Sequence, residues 1–168
     1  MKARILAVLA LLGLLFVAAV TPNSAVNPQT PNVGKIQFLQ GTDSAGTYKT
    51  LYVGGSNGTK ITGIYLTSFD PSASHLVTIQ LSSSASAHCS PATSCFGGMA
   101  ITLPVNSGSA NAAPAVNAMS SANWPGLPRD SDGNPYIYLP SASYTLEMTY
   151  ATAITSGLIN GVAVAADF

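Results

Sequence analysis

Short runs in which apolar and polar side chains alternate, each closed by a turn signal, recur along most of this chain. The alternation is clearest late, where Tyr144, Leu146, Met148 and Tyr150 share one face and Thr145, Glu147 and Thr149 the other. That period of two belongs to a strand with one face in a core and the other wet or at an interface. Val77, Ile79 and Leu81 against Thr78 and Gln80 repeat it, as do Met99, Ile101 and Leu103 against Ala100 and Thr102. Eight candidate strands follow: residues 35–40, 48–53, 60–69, 75–82, 99–103, 136–139, 143–151 and 158–166. Gly54-Gly55, Asn57-Gly58, Asp70-Pro71 and Asp132-Gly133 supply turns between them. Outside the N-terminus, only residues 114–120 are compatible with a helical turn. The pattern predicts an all-β chain, a single antiparallel β-sandwich of jelly-roll type with about eight strands. A small barrel and an immunoglobulin-like sandwich are the alternatives. The Cys-Trp-Cys order of immunoglobulin domains is absent, because Trp124 follows both cysteines.

The first twenty residues are of another kind. Lys2 and Arg4 precede an apolar run over 5–20, and Thr21-Pro22-Asn23-Ser24 breaks it, the charged, apolar, polar order of a secretory signal. Sixteen helical residues span about 24 Å, short of the ~30 Å of a bilayer core. Residues 1–20 are therefore expected to form a hydrophobic helix that is either a signal peptide, cut after Ala19 or Ala25, or an N-terminal membrane anchor. Residues 21–33, rich in Asn, Pro, Gln and Thr, read as a linker or arm, and residues 34–168 as the sandwich domain.

Past the N-terminal segment, Lys35, Lys49, Lys60 and Arg129 face Asp43, Asp70, Asp130, Asp132, Glu147 and Asp167, two more carboxylates than cations. No basic stripe exists to follow a phosphate backbone, which excludes nucleic acid as a partner. So few charges among so much Ser, Thr, Ala and Gly point to a surface partly covered in an assembly.

Gly54-Gly55-Ser56-Asn57-Gly58 fits the Gly-x-Ser-x-Gly spacing of a nucleophile elbow, but that elbow needs a helix to follow. Thr59, Lys60, Ile61 and Thr62 are strand formers, so the stretch reads as a hairpin loop. His75 and His88 are the only side chains suited to general-base work near neutral pH; His75 reads as an exposed residue at a strand start. His88, Cys89 and Cys95 make three ligands where a structural zinc site takes four. In an exported chain Cys89 and Cys95 instead read as a loop-closing disulfide, and in a reducing compartment as thiols. Asp130-Ser131-Asp132-Gly133-Asn134 echoes part of a calcium loop, yet no glutamate completes it, and a tight turn accounts for the residues. Asn57-Gly58-Thr59 is a glycosylation sequon where the host glycosylates.

Residues 123–140 hold the only tryptophan and four of the eleven prolines. Pro125 and Gly126 cannot continue a helix, so Trp124 is offered from a rigid irregular segment. Trp124, Leu127, Arg129, Tyr136 and Tyr138 are the interface or binding candidates, either a buried clasp and subunit contact or a sugar-stacking platform of Trp124 with the tyrosines. The long excursions over 83–98 and 105–129 are of a length that usually has a function.

Several separated stretches together resemble a known group. They are Gly54-Gly55-Ser56-Asn57-Gly58-Thr59-Lys60-Ile61-Thr62-Gly63-Ile64, Thr67-Ser68, Asn123-Trp124-Pro125-Gly126-Leu127-Pro128, Asp130-Ser131-Asp132-Gly133-Asn134-Pro135-Tyr136, Thr145-Leu146 and Ala166-Asp167-Phe168. Over residues 35–168 the chain resembles small β-sandwich proteins of bacteriophage and prophage virion modules, of decoration or minor capsid type. The resemblance implies a virion structural role with no catalytic residues, in a homo-oligomer such as a trimer that packs on a major capsid or other virion protein. The hydrophobic start and the 89–95 loop are additions to that pattern, and the start suits either a virus that contains a membrane, met through residues 5–20, or an exported product of prophage descent. No cofactor or metal is called for. The alternative is an exported carbohydrate- or surface-binding β-sandwich module.

Overall fold

Alternation turns one side of each run inward, and nine strands form on that pattern among residues 30–83, 95–109 and 113–168, which this computed structural model describes. They are β1 (Thr30–Leu39), β2 (Lys49–Val53), β3 (Thr59–Ser68), β4 (His75–Ser82), β5 (Cys95–Leu103), β6 (Val116–Asn117), β7 (Ile137–Leu139), β8 (Thr145–Tyr150) and β9 (Leu158–Asp167). One sheet runs β1-β9-β3-β6, with β7 pairing the same edge of β3 nearer its start; the other runs β2-β8-β4-β5. Every pairing is antiparallel, and one set is nested, first strand with last: β1 with β9, β2 with β8, β3 with β6 and β7, β4 with β5; β9 also pairs with β3 and β8 with β4. A ribbon paired in that order and wrapped into two facing sheets is a jelly roll, so the expected all-β antiparallel sandwich is what forms. Among the described residues there is no helix. The expected N-terminal hydrophobic helix and its signal or anchor role lie outside them.

The core lies between the sheets. Phe38 from β1, Ile64 and Leu66 from β3, Ile79 from β4, Met148 from β8 and Ile159 from β9 are all fully buried. The Phe38 and Tyr150 rings meet at 4.8 Å between centroids, and the Tyr150 hydroxyl donates to the Asp43 carbonyl at 2.7 Å. In β3 the apolar residues Ile61, Ile64 and Leu66 break strict alternation, and the register with β9 shifts between Ile61 and Gly63. The bulge absorbs one residue and keeps all three side chains inward.

Three expectations change. β1 starts at Thr30, so residues 30–33 of the expected arm are paired with β9, beginning at Thr30↔Asp167; pairing with a central strand overrides a proline-containing composition. Val116 and Asn117, in the segment compatible with a helical turn, form β6 against Leu66 and Tyr65. β8 is buried on both faces, with Glu147 only 3% exposed, so neither face of this strand is wet.

The loops that carry the chain between sheets are tied by Asp70. Its carboxylate accepts from the backbone of Ser72 at 2.8 Å and of Thr155 at 2.8 Å, from the Thr155 hydroxyl at 2.9 Å, and faces His75 Nε2 at 3.1 Å. His75 Nδ1 lies 3.1 Å from the Thr152 carbonyl oxygen. Both side chains are fully buried, which corrects the exposed histidine expected at this strand start. An oxygen thus faces each ring nitrogen and holds the imidazole in place. Burial opposes the Asp70 charge, yet donation from Ser72, Thr155 and His75 outweighs it and holds the carboxyl well below the usual carboxylate range. A depressed folded-state pKa contributes stability that is complete above the unfolded value of 3.8 and lost as pH falls below it. Asp70→Asn is expected to cost about 3 kcal/mol in urea unfolding at pH 7. The difference from the parent should hold above about pH 5 and shrink below about pH 4.

Candidate functional site

The segment carrying the sequence-predicted residues folds as a series of turns closed on β7. Trp124 N donates to the Ser120 carbonyl at 2.8 Å and Asn123 Nδ2 to the Asn117 carbonyl at 2.8 Å, so the loop is wound on itself just before Pro125. This winding turns the indole inward: Trp124 is 9% exposed and belongs to the core, with Leu127 packed against it. Of the two readings for Trp124, the buried clasp fits this position; a stacking platform needs an open indole face.

Asp130 organises the next turn. Its Oδ1 accepts from the backbone of Asp132 at 3.1 Å and Asn134 at 2.9 Å, while Gly133, at φ 82°, donates to the Asp130 carbonyl. Arg129, exposed, donates to the Gly133 carbonyl at 2.6 Å and clamps the turn from outside. The other carboxylate oxygen lies 3.0 Å from Lys60 Nζ, and the Lys60 hydrogen bond and charge lower the Asp130 pKa. Both oxygens are thus engaged by the turn and by β3, as the turn reading requires. Among the described residues no three His, Cys, Asp or Glu side chains group as metal ligands.

Lys60 also sits 5.1 Å from the centroid of the half-buried Tyr136 ring. Across the ladder it pairs with Tyr138, which is 47% exposed. Tyr138 lies over Gly58: a Cβ there would fall 2.5 Å from the tyrosine oxygen, so only glycine leaves the ring its seat. The Phe168 ring meets Tyr138 at 5.9 Å, edge to face, and Phe168 N donates to the Gly58 carbonyl at 3.1 Å. Beside it, Tyr52 donates to Asp167 at 3.1 Å; burial, with the Asp167 hydrogen bond and charge, pushes the Tyr52 hydroxyl up to about 12. Thr59 donates to the same carboxylate. Tyr136, Tyr138 and Arg129 therefore share one end of the sandwich with Lys60, Asp130 and Phe168.

The Gly54 to Gly58 stretch is a turn between β2 and β3, and Gly55 N donates to Thr59 Oγ1 at 2.7 Å. A strand follows where a nucleophile elbow needs a helix, and His75 is held by Asp70 and Thr152. Cys95 is disulfide-bonded at the start of β5. Cys89, its expected partner, and His88 lie outside the described residues.

Sequence reasoning missed one feature, a depression of about 670 Å³ on the outer face of the β1-β9-β3 sheet. It is lined chiefly by Lys35 and Gln37 of β1, Tyr65 and Thr67 of β3, and Asn160 and Val162 of β9. Register brings them together, Gln37↔Asn160↔Thr67 in one row and Lys35↔Val162↔Tyr65 in the next. These residues are far apart in the chain, and no local motif marks them.

Replacement of Trp124 by Ala is expected to cost about 3–5 kcal/mol, as emptying a core position does, whereas Tyr138→Ala should stay within about 1 kcal/mol. Urea unfolding measures both, and the parent's only tryptophan should show the blue-shifted, poorly quenched emission of a buried indole. Comparison with protein-family models and with curated proteins finds no match to this chain.

Proposed function

We propose that this protein is a virion structural component, a decoration or minor capsid subunit that acts by oligomeric packing of its jelly roll rather than by catalysis. The observation that carries this reading is convergence. Most of the stretches behind the resemblance to phage virion proteins meet at one end of the sandwich: the β2–β3 turn, the Asp130 turn through Tyr136, the start of β8 and the terminal Asp167 and Phe168. Gly58 to Phe168, Lys60 to Asp130, Asp167 to Thr59, and Val53 to Thr145 are the direct links. Residues scattered over more than a hundred positions of chain thus build one surface with Tyr138 and Arg129 at its exposed edge.

The composition of that surface supports assembly. It offers a half-exposed aromatic ring and an arginine, both favoured at protein contacts, while its Lys60 and Asp130 are already paired. The same sheet exposes Val33 and Val164 on its outer face, cross-strand from one another. Apolar side chains presented together mark a contact surface more often than a free one. The competing reading, an exported carbohydrate- or surface-binding module, loses Trp124 as its platform and keeps only the depression beside Tyr65 in its favour.

Sedimentation velocity of the full chain at micromolar concentration is expected to show trimers or larger species. Tyr138→Ala combined with Arg129→Glu should shift the distribution toward monomer without lowering the melting temperature by more than a few degrees. A strictly monomeric parent would contradict the proposal.

A further inference from the structure

We propose that the free edge of β5 binds a second copy of this chain. The two β5 strands pair antiparallel across a two-fold axis at Met99 and join their 4-stranded sheets into one. This edge shares no residue with the end surface assigned to assembly, so either assignment can fail alone.

β5 ends its sheet and pairs with β4 alone. Leu76 of β4 accepts from Ala151 N on the β8 side, so in the alternation of an antiparallel ladder Val77 and Ile79 turn toward β5. Ile101 and Met99 face them. Gly98, Ala100 and Thr102 are left with their amides and carbonyls pointing away from the sheet. Among the described residues nothing meets these groups, and all three residues are small and exposed. A row of free main-chain groups without bulky side chains is a template for another strand.

The other edges are closed or short. A Cβ on Gly34 would clash with the Leu51 carbonyl oxygen, so β1 and β2 close on each other, and Lys49 donates to the Gln37 carbonyl across that seam at 2.6 Å. β6 has 2 residues and β7 has 3. β5 runs for 9 residues, from Cys95 to Leu103, with no charged side chain and no proline, the devices by which edge strands turn partners away.

A copy of the same strand fits this edge in register and in shape. With the axis at Met99, Gly98 of one protomer lies opposite Ala100 of the other, so outward groups meet outward groups. The core sides of the two sheets then fall on one side of the joined sheet. There Ile101 of one protomer stands opposite the exposed Gly97 of the other, a large side chain beside a vacant position. Met99, partly buried against the core, meets its own copy. Neither strand brings a charge against a like charge. A foreign peptide would be selected by pockets for its side chains, and glycine and alanine at the edge build none.

Amide hydrogen exchange of the full chain, read residue by residue, tests the assignment. The Ala100 and Thr102 amides are expected to exchange at least about a hundredfold more slowly at high than at low protein concentration. Sedimentation velocity of the Tyr138→Ala, Arg129→Glu variant, which lacks the end contact, should then show dimers, and adding Ala100→Pro should convert them to monomers. Proline at an outward edge position removes only the pairing amide, so the melting temperature should fall by no more than a few degrees. Thr102→Lys, which puts a charge on the edge and leaves the backbone intact, gives a second reading if the proline variant melts early. Assembly indifferent to the end substitutions but abolished by Ala100→Pro would leave this contact standing without the one at the end. Fast exchange of both amides at every concentration overturns the proposal, as does a dimer unaffected by both Ala100→Pro and Thr102→Lys.

Discussion

Each sheet is completed from the far end of the chain. β9 lies between β1 and β3, and β8 lies between β2 and β4, so neither sheet has a finished centre until the last strands are in place. The nesting makes most stabilising contacts long-range and folding correspondingly slow. It also explains why Asp70 matters beyond its local turn. One carboxylate holds the loop between β3 and β4 against the loop between β8 and β9, where the late strands cross from one sheet to the other. Fully buried and donated to from several sides, it couples the two halves of the roll in a way that the part-buried pair of Lys49 with Asp43, close in sequence, does not.

The same nesting places both the end surface and the depression. Because β9 ends beside the start of β3, the terminal Asp167 and Phe168 are delivered to the β2–β3 turn, where Tyr138 rests on Gly58. Further along the same three strands, the register that aligns Gln37, Asn160 and Thr67 hollows the outer face of the sheet.

Much of this was legible in the sequence, for identifiable reasons. All eight expected strands form, because alternation with turn residues between runs is a local property. What escaped was set by distant residues. β6 is only Val116 and Asn117, too short for any period, and exists because β3 offers an open edge. His75 looked like an exposed strand start, yet Thr152, 77 positions away, and Asp70 enclose it. The proline and glycine neighbours of Trp124 do impose an irregular path, but the direction of the indole depended on the winding of residues 117–124. Asp130 behaved as its spacing promised, because an Asx turn needs nothing beyond its own five residues. The depression was invisible, since its residues belong to three strands and only register unites them.

The central claim, that this jelly roll is built to be a stationary part of a particle, is tested most directly on particles themselves. Purified virions, membranes and cell-free medium from the native source would be separated and the chain quantified in each by intact mass spectrometry. The account predicts recovery with the particles at a fixed ratio to the major capsid protein, through repeated purification. A chain found only in medium or membranes, and absent from purified particles, would contradict it.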